Sequence, residues 1–473
     1  MINFIKEAVT KIKEQTRERG AVDLGKGPVL SSLVRLAVPS IAMVLFHTLF
    51  NLVDTVFISW LGESYMVAIS YTFPVQIGVW AVYEGVGNGV TALVGRKLGE
   101  GNQKEAQRIA ESGLIFSYLL CLLWLPFIFE PASNAFFRML GATDPVTLHQ
   151  AYLYNLWIPP TLLTISYTYM GNSLFRCQGN TIIPLKYFII ANGLNLVLDP
   201  IFIFTFGWGM TGAAFATFIG RVVGLFYIMK KLRDSSALKL PVIAPPRLWM
   251  ARYWMGITKI GLPVTLATGS VACGMGTVNK ILSATYGNAA VAGWMIELRV
   301  EDISFNSMMG INDALVPFLA YNYGSRNLSR MKAGIIAAVK ISACITIPLG
   351  LALMIWPWPA VALFRPTAHT ADIAVQSLRI TIAAYPLVIY NIFYNALFVA
   401  TGYSAFGLIV QICRSLIFRI SAIWLLAGLV SIQWIWLFQP ISFVGGTLVT
   451  WLFAHYLMKK LERDMGGVML KTK

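Results

Sequence analysis

Charge is scarce in this chain: only 12% of its 473 residues are Asp, Glu, Lys or Arg, about half the share carried by soluble domains. An ordinary soluble protein is thereby excluded. Histidine is rarer still, and the four present (His47, His149, His369, His455) show no ligand spacing, which gives no footing to a histidine metal centre or a catalytic triad. The five cysteines (Cys121, Cys177, Cys273, Cys344, Cys413) stand singly within or beside apolar runs without a CxxC. They read as buried small residues, and no disulfide or metal is implied. The first 32 residues are charged throughout and lack a continuous apolar core, so no cleavable signal peptide is predicted. Ile5, Val9 and Ile12 share one helical face there, which fits a short helix on a membrane surface as well as a solvated tail.

What is present is apolar: 57% of the chain is hydrophobic, 13% of the chain is aromatic, and the mean hydropathy is +0.67. Twelve segments long enough to cross about 30 Å of hydrocarbon follow one another, at roughly 36–59, 66–95, 109–130, 150–173, 181–206, 210–229, 257–286, 289–321, 333–356, 376–401, 405–428 and 433–457. In lipid the backbone must satisfy its own hydrogen bonds, so each is predicted to be a helix. Pro39, Pro74, Pro126, Pro159, Pro160, Pro263 and Pro317 lie inside them and predict kinks.

Acids are outnumbered 21 to 37, a formal charge of +16, which could mark a nucleic-acid surface. The placement argues otherwise. With the N-terminus inside, 29 of the 37 bases fall on one side, in residues 1–35, 96–108, 174–186, 230–259, 324–340 and 459–473. The loops of the other side hold only Arg138, Arg365 and Arg379. This bias predicts two cytoplasmic termini in a multi-pass protein of the cell (inner or plasma) membrane. The charge then needs no nucleic-acid partner.

The longest polar connection, Lys230 to Lys259, separates two sets of six segments. At an offset of 225, Gly62, Gly85, Gly99 and Asn102 fall on Gly287, Gly310, Gly324 and Asn327; at 223, Asn172-Ser-Leu-Phe falls on Asn395-Ala-Leu-Phe. Six crossings return the chain to its starting side, so the halves are parallel repeats. The expected fold is an all-α integral membrane protein, with twelve transmembrane helices in two parallel six-helix lobes around a central cleft. Its parts are a cytoplasmic segment 1–32, an N-lobe 33–235, a linker 236–256, and a C-lobe with tail 257–473.

Ionisable groups at mid-membrane depth cost about 2.5–3.5 kcal/mol or more, which makes each a candidate functional residue. They are Asp54, Glu84, Asp199, Arg221, Lys280, the Glu297/Arg299/Glu301/Asp302 group, Asp313, Arg414 and Arg419. The repeat puts Asp54 over Asn279 and Asp199 over Ala422, so a cation site built on these carboxylates belongs to the first half alone. Asn192, Asn195 and Asp199 share a helical face, and Asn51 lies one turn before Asp54. Such oxygen ligands suit Na⁺ or a proton and not a soft metal. Interhelical hydrogen bonding is the alternative use of the same groups. Two carboxylates in one pocket would repel, which fits a site that exchanges a proton. Glu297 and Glu301 share a face; they read either as a buried network with Lys280, Arg414 or Arg419, or, for Glu301, as a cleft residue that meets cationic substrate. Gly85-Val-Gly87-Asn-Gly89 has no strand before it, so it reads as close helix packing and not as a dinucleotide loop.

Leu36-Ala-Val-Pro39, Asn51-Leu-Val-Asp54-Thr, Leu61-Gly62, Gly85, Gly99-Glu-Gly-Asn102 and Asn195-Leu-Val-Leu-Asp199-Pro200, in this order, resemble the multidrug and toxic compound extrusion (MATE) family over essentially the whole chain. The resemblance implies antiport, in which an organic and often cationic drug leaves while Na⁺ or H⁺ enters, with no enzymatic activity and no cofactor beyond the coupling ion. It is nearest the DinF-like branch. That branch implies cation-coupling residues at Asp54, Asn172, Asn195, Asp199 and Thr217, of which Asp54, Asn195, Asp199 and Thr217 would hold Na⁺. It implies a substrate cavity at Tyr154, with Asn51, Asn192 and Glu301 placed there by the residue reading, and a hinge in the first helix at Pro39. Pro263 is followed by Val-Thr-Leu-Ala-Thr-Gly-Ser and not by the Glu of the NorM-like branch, and Phe50 replaces an aromatic hydroxyl often found before the first Asp. Partners are then small organic molecules and the lipid bilayer, for a protein acting as a monomer. A flippase for a lipid-linked saccharide or other amphipathic lipid is the alternative; an integral-membrane acyltransferase lacks an acid/base cluster.

Overall fold

The structure is a computed structural model and describes residues 21–235, 237–241 and 245–469; Ile5, Val9 and Ile12 lie outside them. Every regular element among these residues is helical. The first half comprises α1 (Val29–Ser59), α2 (Glu63–Gly99), α3 (Gln103–Cys121), α4 (Glu130–Met139), α5 (Pro145–Asn155), α6 (Ile158–Cys177), α7 (Ile182–Pro200) and α8 (Gly209–Ser235). The second comprises α9 (Ala251–Tyr286), α10 (Asn288–Gly324), α11 (Leu328–Ile355), α12 (Trp358–Ala362), α13 (Ala368–Ile382), α14 (Tyr385–Thr401), α15 (Ser404–Ile412), α16 (Arg419–Leu426) and α17 (Phe438–Met469).

Each of the twelve apolar segments lies in a helical passage. Eight helices among the described residues are long and apolar enough to cross a membrane by themselves, and α13 with α14 makes a ninth crossing bent by 58°. The other three passages are α2, α5 with α6, and α10. Both α2 and α10 pack against helices of the opposite half, so protein rather than lipid surrounds much of their surface and a uniformly apolar composition is unnecessary. Lipid is the solvent elsewhere: Trp60, Leu123, Phe226 and Leu452 are exposed, an apolar exterior that water would not tolerate over so large an area.

Three of the prolines, Pro126, Pro159 and Pro160, act differently from the expectation. Pro39, Pro74, Pro263 and Pro317 sit inside unbroken helices, Pro126 lies in the 3₁₀ turn Leu122–Ile128 that ends α3, and Pro159 and Pro160 open α6 instead of kinking it. Proline has no N–H to lose in a first helical turn. The fourth passage is therefore broken at Leu156–Trp157, and its counterpart breaks at Ala383–Ala384 just before Pro386. The cysteine reading also needs correction, because Cys273 and Cys344 are exposed and only Cys121 and Cys177 are buried. A thiol behaves as a small apolar group and is as much at home against lipid as in a core.

The repeat is visible as repeated work. Asn102 caps α3 by accepting from Glu105 N at 3.0 Å, and Asn327 caps α11 by accepting from Arg330 N at 3.0 Å. Between the halves, α2 runs along α9, and α10 runs along α1 and α2. Gly99 and Gly324 meet there: a Cβ on Gly99 would collide with the Tyr321 carbonyl, and one on Gly324 with the Arg96 carbonyl. Lipid tails are as apolar as Leu, so close backbone approach of this kind, and not water exclusion, holds such helices together. Arg96 extends the contact, with Nε donating to the Ala400 carbonyl at 2.8 Å. This is the end of the bundle that bears most of the Lys and Arg, termed here the basic face.

Candidate functional site

In the first lobe α1 packs on α7 and α7 on α8. As odd-numbered passages, α1 and α7 run in the same direction, and each carries a carboxylate near its end away from the basic face. Asp199 is fully buried, Asp54 is partly so, and the two carboxyl groups lie within hydrogen-bonding reach of each other. Asp54 Oδ1 and Asp199 Oδ2 find no donor. Asn195 Nδ2 donates to Asp199 Oδ1 at 2.9 Å and lies 3.2 Å from Thr217 Oγ1, whose own proton goes to the Ala213 carbonyl at 3.1 Å. The Thr217 oxygen therefore turns its lone pairs inward. Carboxylate and hydroxyl oxygens thus converge on one pocket, bridged by the Asn195 amide nitrogen, and such oxygens are ligands that a hard cation prefers.

Tyr154, from α5, hydrogen-bonds Gln76 and feels both carboxylates. Gln76 Nε2 also lies 3.2 Å from Thr72 Oγ1. Gln76 escaped the sequence reading, although the 225 offset sets it directly beneath Glu301 and could have found it. Asn51 is exposed and its amide lies 3.2 Å from His47 Nε2, while the His47 ring meets Phe188 edge-on. Asn192 is half-buried on the same helix as Asp199.

Two expected members lie elsewhere. Asn172 is buried with Oδ1 unpartnered, five residues before the basic-face end of α6. Asp199 lies seventeen residues beyond the basic-face start of α7, so at about 1.5 Å per residue the two differ in depth by roughly 15 Å or more. The recurrence of a residue type along a sequence does not reveal depth; helix direction does. Asn172 instead falls one turn before Arg176, which bonds Asp313 of the other lobe at 3.0 Å. Glu84 accepts from Thr268 of the other lobe at 3.4 Å, and Asn306 donates to Thr48 at 3.2 Å. Glu301 belongs to the second lobe, beside Arg414 and Arg419. Pro39 is buried within α1.

Two halves that meet over bare backbone and a few ionic contacts, each holding charged side chains in its interior, define a membrane transporter and not an enzyme. The chain belongs to the MatE family, whose pattern matches residues 39–201 and again 263–425. The family unit therefore occurs twice, once in each half. The chain is 27% identical over 390 residues to the multidrug export protein MepA of Staphylococcus aureus (strain N315), covering 80% of this chain and 83% of that one. It is 26% identical over 461 residues to an FAD transporter of Shewanella oneidensis, covering 92% and 95%. A solved outward-facing conformation of a multidrug resistance MATE family transporter superposes with a TM-score of 0.86 at 25% identity, over 94% of this chain and 99% of that one. A transporter from Pyrococcus furiosus, described as having a binding pocket of reverse polarity, shares the fold with a TM-score of 0.86 at 24% identity over 94% and 99%.

Proposed function

We propose that this chain is a secondary-active multidrug efflux antiporter of the DinF-like kind, which exports organic, often cationic compounds in exchange for H⁺ or Na⁺. The facing carboxylates Asp54 and Asp199 carry the proposal. Like charges about 4 Å apart repel by about 4 kcal/mol at an effective dielectric of 20, and their uncompensated oxygens leave room for one shared proton or one Na⁺. Tyr154, Asn195 and Thr217 orient that site. The basic bias supports cytoplasmic termini, and with that orientation the lobe contacts at Gly99 and Gly324 seal the cytoplasmic side of an outward-facing state.

Coupling requires that ion and drug favour different states. In the proposed cycle, external cation enters the first-lobe pocket, the pocket contracts around it by bending α1 near Pro39, drug leaves outward, and the lobes rock to reset. Relatives named for multidrug export support the substrate class. The test is gradient-driven ethidium efflux from vesicles. Asp54→Asn and Asp199→Asn are each expected to lower it at least tenfold at normal membrane insertion, and wild-type rates in both would sink the reading.

Transport of an anionic amphiphile, including a lipid-linked molecule, is the second reading. Arg414 and Arg419 inside the second lobe favour it, as does the relative named as an FAD transporter. Failure of ethidium to move, with export of FAD or of a fluorescent anionic lipid, would select it.

A further inference from the structure

The second lobe holds charges that the proposed ion coupling does not use. Glu297 is fully buried, and its carboxylate faces Gln439 Nε2 at 3.4 Å and the Thr381 hydroxyl, both neutral donors. Glu301, one turn further, retains accessible surface and makes no hydrogen bond or ion pair among the described residues. Opposite it stand two arginines from the fifth passage of this lobe. Residues five apart on an α-helix point about 140° away from each other. Here the passage between α15 and α16 is a π-helical turn, Cys413–Phe418, whose additional residue per turn brings Arg414 and Arg419 towards one face.

The arginines are held but not satisfied. Arg414 donates to Gln411 Oε1 at 3.1 Å and lies 5.4 Å over the Phe443 ring, against Gly446. Arg419 is 7% exposed and its Nε has no partner. Both are near enough to Glu301 to interact electrostatically, yet none of these acids and bases closes an ion pair within 4.0 Å among the described residues. A network serving only to neutralise buried charge would close its pairs, as Arg176 and Asp313 do at 3.0 Å, because an unpaired buried charge is costly. Opposed charges kept apart leave a place for a group that meets both.

We propose that Arg414 and Arg419 form an oxyanion-accepting site in the second lobe, which takes the carboxylate or phosphate of a transported molecule whose cationic group is held by Glu301. The guanidinium fork matches the planar geometry of a carboxylate and the edge of a phosphate, and Arg binds either in bidentate fashion. The preferred ligand is then zwitterionic. The claim rests on the efflux reading only in calling this ligand a substrate.

Binding to the purified full chain, measured by calorimetry, tests the site independently of transport. Norfloxacin, an ammonium carboxylate, is compared with its methyl ester, and riboflavin 5′-phosphate with riboflavin. Wild type is expected to prefer the charged member of at least one pair tenfold or more, and the pair that shows the preference identifies carboxylate or phosphate as the group recognised. In Arg414→Gln and in Arg419→Gln the ratio is expected to fall to within twofold of one, with Arg419→Lys intermediate because a point charge replaces the fork. Should Arg419→Gln fail to fold, Arg414→Gln and the charge-balanced double variant Glu301→Gln/Arg419→Gln provide the same ratio. Equal affinity for acid and ester and for phosphate and alcohol in wild type, absence of binding by all four, or a ratio unchanged in the variants would overturn the site. Charge-dependent binding without gradient-driven export would overturn the antiport reading and leave this site standing.

Discussion

The two lobes share a scaffold and differ in where they keep their charge. In the first, Asp54 of α1 and Asp199 of α7 face each other, while the second passage contributes neutral Thr72 and Gln76. In the second lobe the 225 offset replaces that Thr-Gln pair by Glu297 and Glu301, and the fifth passage supplies Arg414 and Arg419 in place of an acid. The π-helical turns Ile201–Thr205 and Cys413–Phe418 fall in the fifth passage of each half, beside these charged groups. Caps and glycines that hold the fold were kept in both copies, and the interior charges were redistributed. One lobe sets two carboxylates against each other; the other sets acids against bases that do not pair with one another.

The harshest way to break the comparison is to attack what the lobes share. Gly99→Leu and Gly324→Leu place a side chain into a carbonyl of the opposite lobe, so each is expected to abolish transport or insertion, assayed by membrane yield and ethidium efflux. Equal severity in both is required if the contact is reciprocal. Next comes the asymmetry itself. Asp199→Asn should remove transport yet leave the melting temperature near wild type, whereas Glu297→Ala, which leaves the buried Gln439 amide without its acceptor, should cost about 1–3 kcal/mol of stability. Similar melting temperatures for the two would erase the distinction between the two interiors.

Smaller effects sharpen the ionic difference. In wild type, Na⁺ binding is expected to release up to one proton as the carboxylate pair exchanges occupants, and Asp199→Asn should release none; a pH-stat measurement with purified protein decides. Arg176→Gln removes the bond between lobes at Asp313, and is expected to raise several-fold the labelling of cysteines introduced along the basic-face half of α2. The mildest pair is Asn102→Ala and Asn327→Ala, each expected to cost about 1 kcal/mol through loss of a helix cap, equally in the two lobes by thermal melting.

Much of this was legible in the sequence because lipid imposes simple rules. Backbone satisfaction makes apolar runs helices, and twelve such runs, the duplicated glycines and the asymmetry of Lys and Arg outlined a two-lobed carrier. The proximity of Asp54 and Asp199 needed only the pairing of the first and fifth passages. The rest depended on depth and direction. Asn172 belongs to a motif that repeats at Asn395, but its helix runs away from the carboxylates. Gln76 is polar and uncharged, so no cost argument singled it out. The prolines at 159 and 160 could be placed at a helix start only once the break at Leu156–Trp157 was seen. No composition rule predicts a π turn, and without it Arg414 and Arg419 would seem to point apart.

The reciprocal contact of Gly99 and Gly324 has a kinetic side. A seam closed by interlocked side chains must freeze their rotamers each time it forms and melt them each time it parts, at up to about 2 kcal/mol for each long side chain. Where the two glycines meet, main chain lies on main chain and no rotamer is ordered on closing. A fastening of that kind can be undone and remade every cycle with little hysteresis, which is what a carrier that turns over many times requires of its seal.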